Sequence, residues 1–248
     1  MSQVFRTRFG KDIVAEYVPP TRPSRKVAIL WSGMPSVPKY HEVLRVFSQA
    51  GYWAFSPRYR GTWESSGSLF AESPHLDALL VLNLLPRGFK NLWTGKKIQF
   101  KPSTVHLFGS SFGGPAALLA SRHPLVEKVV TSSGVVDWRV QGRTEPLPAL
   151  KRMVKTSFGK AYRFKDSDWR KLGSRAFYNP ADVPAAVAGE KVLLVHSKDD
   201  DVVPYGPTTK FAKEVGAKLW LRPTGGHLTS KLFLQPASWR RIMSFLKS

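Results

Sequence analysis

Short β-rich runs and amphipathic stretches alternate along most of this chain, and that alternation limits the folds open to it more than any other feature. Strand-like runs fall at Val27–Trp31, Tyr52–Ser56, Thr104–Gly109, Lys128–Ser132, Lys191–His196 and Lys218–Arg222. Helical patterns lie between and after them, at Lys39–Ala50, Pro74–Leu85, Phe112–Arg122, Pro207–Val215 and Ser238–Leu246. Strands that are continuously apolar are buried on both faces, so the pattern predicts an α/β fold with a mostly parallel central sheet flanked by helices. Ahead of it, "VFRTRFG" and "DIVAEYV" flank a Gly-Lys turn and predict an N-terminal antiparallel hairpin. The Pro-rich "PPTRPSRK" leads straight into a strand and is a connector within one domain spanning residues 1–248.

Two segments break the alternation. "GFKNLWTGKKIQFKP" has some look of a phosphate loop, but Gly88 and Gly95 are too far apart, and Lys97 follows Lys96 where Ser or Thr is required. No nucleotide site is expected there. The segment from Asp137 to Asn179 is long, basic and aromatic, and a connection of that length carries helices of its own. It is expected to form a lid-like insertion, with Phe158, Tyr162, Phe164, Trp169, Phe177 and Tyr178 as apolar walls of a pocket.

Composition removes whole classes of chemistry. There is no cysteine, hence no disulfide, thiolate nucleophile or Cys-ligated metal. No histidine pair shows the i, i+4 spacing of a helical metal site, and no metal or other cofactor is expected. The formal charge of +21 comes from 38 Lys and Arg against 17 Asp and Glu, spread along the chain without any nucleic-acid module. It is read as a solvated surface rather than a specific nucleic-acid site. The N-terminus lacks an apolar signal core and no stretch is long enough to span a membrane, so a cytoplasmic location is expected. Oligomeric state leaves no trace in the sequence.

"TVHLFGSSFGG" carries the chemistry. Gly-x-Ser-x-Gly between a strand and a helix holds a serine on a sharp turn above the sheet edge, with glycines leaving room for the backbones. Gly109-Ser110-Ser111-Phe112-Gly113 fits with Ser111 at the apex and Ser110 as a flanking residue. A serine hydroxyl needs a base to take its proton, and the base needs a third group to orient it. "KVLLVHSKDDDVVP" ends a later strand in an acid-rich turn with three candidate aspartates, and "KLWLRPTGGHLTS" ends the next in a Gly-Gly turn bearing His227. Both strand ends lie at the sheet edge where open α/β folds place their ligands.

In that order and context, the motifs resemble the α/β-hydrolase superfamily, and within it the catalytic domain of the prolyl-oligopeptidase family and its esterase-like relatives. "GSSFGG", "VLLVHSKDDDVVP", "GGH", "YNPADV" and "RYRGTWESSG" carry the resemblance, which runs over nearly the whole chain. It implies Asp200 as the acid, four residues beyond His196, with Asp199 and Asp201 as solvent-facing neighbours and His196 as a structural strand-end residue. It implies an oxyanion hole with the Phe112 amide as first donor. The second is expected at the Met34 amide in "SGMP", where relatives commonly carry His-Gly-x-Pro and this chain has Ser32 in the histidine position. The oligopeptidases proper place a tyrosine hydroxyl at the start of this loop, where this chain has Trp31 and Ser32, and their propeller domain has no counterpart in 248 residues. The resemblance therefore implies a serine hydrolase working through an acyl-enzyme, with short or medium acyl or aromatic carboxylic esters as small-molecule substrates. A prolyl-oligopeptidase-like peptidase or acyl-peptide hydrolase is the alternative, and a polyanion-binding protein on a degenerate hydrolase fold the non-enzymatic one.

Overall fold

The computed structural model describes residues 3–174 and 176–248. Strands β1 (Phe5–Phe9) and β2 (Ile13–Val18) form the antiparallel hairpin, and β3 (Lys26–Trp31), α1 (His41–Gln49) and β4 (Tyr52–Pro57) follow. After α2 (His75–Leu84), the segment with the glycine and lysine cluster folds as a small separate hairpin, β5 (Phe89–Lys90) with β6 (Lys97–Ile98). Then come β7 (Thr104–Ser110), α3 (Gly113–Leu119) and β8 (Val126–Ser132). The stretch from 137 to 179 carries α4 (Leu147–Met153), α5 (Asp166–Trp169) and short irregular turns. The chain ends with β9 (Val192–Ser197), α6 (Tyr205–Val215), β10 (Lys218–Arg222) and α7 (Pro236–Lys247).

Eight strands make one sheet in the order β1-β2-β4-β3-β7-β8-β9-β10, with β3, β4, β7, β8, β9 and β10 paired parallel and the first hairpin joined antiparallel to β4. Because side chains alternate across a strand, Ile29, Leu107, Val129 and Leu194 fall on one face with α2, α3 and α6. Leu30, Phe108, Val130 and Val195 fall on the other face with α1 and α7. Both faces are covered, which is why these strands read as unbroken apolar runs. The α/β architecture expected from the alternation, a mostly parallel sheet flanked by helices and led by an antiparallel hairpin, is the one found. The open edge of the sheet, at the carboxyl ends of β3, β7, β9 and β10, is left to loops.

Candidate active site

β7 ends in the elbow. Ser111 takes φ +51°, a left-handed conformation that costs a non-glycine residue about 1–2 kcal/mol. The turn is held by its own backbone: Ser111 N–H donates to Ser132 O at 3.0 Å, and Ser111 O accepts from Gly114 N–H at 2.9 Å and Val135 N–H at 3.2 Å. It is also crowded. A methyl group on Gly109 would lie 2.3 Å from Gly113 O, and one on Gly113 would lie 2.1 Å from Trp31 O, so glycine is required at both positions. The two serines part company here. Ser110 is buried with its hydroxyl 2.8 Å from that of Ser132, whereas Ser111 is half-buried and lines an apolar cavity.

The loop after β3 comes close to Ser111: a Cβ on Gly33 would lie 3.3 Å from Ser111 Cβ. Met34 and Phe112 line the same cavity as Ser111, and among the described residues neither backbone N–H has a hydrogen-bond acceptor. Two free amides beside a strained serine suit a developing oxyanion. The loop is clamped by tyrosines that local sequence did not single out for this purpose. Tyr59 Oη donates to Ser32 O at 3.2 Å, and Tyr162 Oη accepts from Ser36 N–H at 2.8 Å and lies 3.2 Å from Ser36 O. Only the folded chain brings residue 162 to residue 36.

Asp200 lies beyond β9, its carboxylate buried. Nδ1 of His227 is 3.0 Å from Asp200 Oδ2 and 3.1 Å from Oδ1, so its N–H points at the carboxylate and Nε2 is left for another partner. Asp200 Oδ1 also accepts the N–H groups of Val202 and Val203 at 3.0 and 2.9 Å. Burial pushes the Asp200 carboxyl up, but hydrogen bonds from His196, His227, Ser133 and Val203 N–H outweigh it and hold the group below the usual carboxylate range. It is therefore an anion facing an imidazole. The Ser111 hydroxyl makes no hydrogen bond to His227 in this structure.

The neighbouring aspartates differ from one another. Asp199 and Asp201 are both exposed, but Asp199 accepts the N–H groups of Gly225 and Gly226 at 3.2 and 2.9 Å and so fixes the turn that carries His227. That tie is invisible in sequence because the two segments are on different strands' ends. His196 is fully buried; Nε2 donates to Val203 O at 2.8 Å and Nδ1 lies 3.0 Å from Thr208 Oγ1, both structural contacts. His41 stands beside Glu16, His75 beside Ser73 and His123 beside Asn83. Among the described residues no three His, Asp or Glu side chains are grouped to hold a metal ion.

The pocket walls need a correction. The six aromatics expected to line it pack elsewhere: Trp169 against Phe70 and Phe164, Phe158 against Trp63 and Tyr162, and Tyr178 beneath the elbow with its hydroxyl donating to Phe112 O. The cavity is walled instead by Val135 and the first part of the 137–179 stretch, including Trp138, Leu147 and Leu150. Tyr162, Trp169 and Tyr178 are buried in the core, where large aromatics gain most, and the cavity wall is left to Phe112, Trp138 and aliphatic side chains.

A family model described as the prolyl oligopeptidase family matches residues 91–248. No curated protein is similar enough in sequence to match. Among solved structures, an esterase of Pyrococcus furiosus superposes with a TM-score of 0.67 at 16% identity, covering 100% of this chain and 89% of that one. The mouse alpha/beta hydrolase domain-containing protein 10 gives 0.63 at 16%, covering 99% and 97%. An acylaminoacyl peptidase of Pyrococcus horikoshii gives 0.64 at 17%, covering 99% of this chain and 41% of that one. At these identities the likeness is one of fold. Among the described residues no helix is long and apolar enough to cross a membrane.

Proposed function

The chain belongs to the prolyl oligopeptidase family and is a hydrolase of the serine-hydrolase superfamily, and on that premise we propose that Ser111 is its nucleophile, His227 its base and Asp200 the acid that orients the base. The observation that supports this most is the Asp200–His227 pair at 3.0 Å, at the same sheet edge as a serine held at φ +51°. His227 Nε2 takes the Ser111 proton as Oγ attacks the carbonyl carbon, and Asp200 stabilises the imidazolium that forms. The carbonyl oxygen gains its negative charge between the Phe112 and Met34 N–H groups. Collapse returns the proton from His227 to the leaving alkoxide, releases the alcohol and leaves an acyl-enzyme on Ser111. Water, deprotonated by the same histidine, then adds to the acyl carbon and frees the acid.

Carboxylic esters are the substrates we favour, because the cavity beside Ser111 is apolar and enclosed by the first part of the 137–179 stretch, suited to an acyl chain or ring. Hydrolysis of peptides or acyl-peptides is the second reading, prompted by the family and by the likeness to an acylaminoacyl peptidase. The comparison of p-nitrophenyl butyrate with dipeptide amides tests the choice. Ester turnover should exceed amide turnover by about a hundredfold or more in kcat/KM; equal rates would make the peptidase reading the right one.

A further inference from the structure

Most of the wall of the cavity beside Ser111 is aliphatic or aromatic. Glu145 breaks that pattern. It lines the same cavity, half-buried, and among the described residues its carboxylate has neither a hydrogen bond nor an ion pair. Cations are abundant in this chain, 38 against 17 acids, and the other partly or fully buried acids are engaged. Glu16 and Asp77 pair with Arg58 and Arg60, and Asp137 and Asp182 pair with Arg139. The acids left with neither an ion pair nor a side-chain hydrogen bond among the described residues are Glu42, Glu127, Glu190, Asp201 and Glu214, all exposed to water, and Glu145, which is half-buried.

Its position is fixed from both sides. Gln141 Oε1 accepts Leu147 N–H at 2.8 Å, closing the turn around Glu145, and Thr144 Oγ1 donates to Asp201 O at 3.2 Å. Gly142 packs so closely that a Cβ there would lie 2.1 Å from Val202 O. The loop is thus stitched to the segment just beyond Asp200.

We infer that Glu145 makes this a pocket for substrates whose acyl group is an apolar stem ending in a cation, an alkylammonium above all. This rests on the serine-hydrolase reading of Ser111. A carboxylate covered by a neutral chain loses water and gains nothing, whereas an ammonium restores a charge-assisted hydrogen bond. The protein's net charge of +21 opposes such a substrate at long range, so the preference arises at contact.

Two near-isosteric esters test it: p-nitrophenyl 6-aminohexanoate and p-nitrophenyl heptanoate. The wild-type protein should favour the ammonium ester by about ten- to a hundredfold in kcat/KM. Glu145→Gln should move the two in opposite directions, lowering kcat/KM for the ammonium ester about tenfold or more and raising it for heptanoate. Turnover of heptanoate without preference for the ammonium ester overturns this inference and leaves the hydrolase reading standing. So does a Glu145→Gln protein, folded by circular dichroism, in which both esters change alike. If that variant does not fold, the wild-type ratio decides alone. Absence of turnover of both esters, together with absence of fluorophosphonate labelling, overturns both readings.

Discussion

Ser110 Oγ and Ser132 Oγ lie 2.8 Å apart on adjacent parallel strands, both buried. The Ser110 hydroxyl is thereby engaged inside the sheet, one residue before a serine whose side chain faces the cavity. Ser110→Ala leaves Ser132 without that partner and should cost about 1–2 kcal/mol of stability, with at most about a tenfold loss of kcat. Thermal denaturation and an ester assay read the two effects separately. A loss of kcat beyond a hundredfold in a folded Ser110→Ala protein would mean that this hydroxyl takes part in the chemistry.

Asp200 and Asp199 should differ sharply. Asp200→Asn places an amide where the imidazole N–H needs an acceptor, and kcat should fall by about 10⁴. Asp199→Asn weakens only the two bonds to the Gly225–Gly226 turn, and the loss should stay within about tenfold. Steady-state kinetics on p-nitrophenyl butyrate check both, and equal losses would show that the orienting carboxylate has been assigned to the wrong residue.

His106 sets a pH dependence of stability away from the site. It is buried in β7 with both ring nitrogens lacking a partner among the described residues, and burial first, then Lys26 and Lys128, push it down to about 4. The unfolded chain takes up a proton near the usual value of about 6.5 while the folded chain does not, so stability is full above that value and is lost as pH falls toward 4. Between pH 7 and 5 this amounts to about 2 kcal/mol. Denaturant unfolding at the two pH values should show the loss in wild type and a smaller one in His106→Leu, which also removes two unsatisfied buried atoms. An unchanged slope in His106→Leu would assign the acid lability to other groups.

Charge and catalysis should be separable. If the +21 only solvates the surface, kcat/KM for a neutral ester should vary by less than about twofold between low and moderate salt, while any binding to duplex DNA falls steeply over the same range. A DNA complex that is sequence-selective and persists at physiological salt would contradict that view of the charge.

Strands and elbow were legible because their signals are local. β7 and β9 are buried along almost their whole length around apolar centres, and Gly109 and Gly113 are demanded by contacts within a few residues or with the neighbouring strand. The boundaries shifted by one to three residues, most at the elbow helix, expected over Phe112–Arg122 and found over Gly113–Leu119, where the chain unwinds before His123. What sequence could not reveal depends on pairs far apart in the chain. Tyr162 reaching Ser36, Asp199 reaching Gly226, and Glu145 standing at the cavity of Ser111 all follow from how the 137–179 stretch and the strand-end loops meet. The same reason explains the misplaced aromatics, since hydrophobicity says that Trp169 and Tyr178 are buried but not on which side of the cavity wall.

Covalent labelling tests the central claim most directly. A fluorophosphonate probe reacts with a serine only where a base activates it and an oxyanion site receives the phosphonyl oxygen. Peptide mapping of the labelled protein should place the adduct on Ser111, with labelling retained in Ser110→Ala, abolished in Ser111→Ala and strongly slowed in His227→Ala. An adduct on Ser110, or labelling that persists in a folded Ser111→Ala protein, would contradict the assignment of Ser111 as the nucleophile.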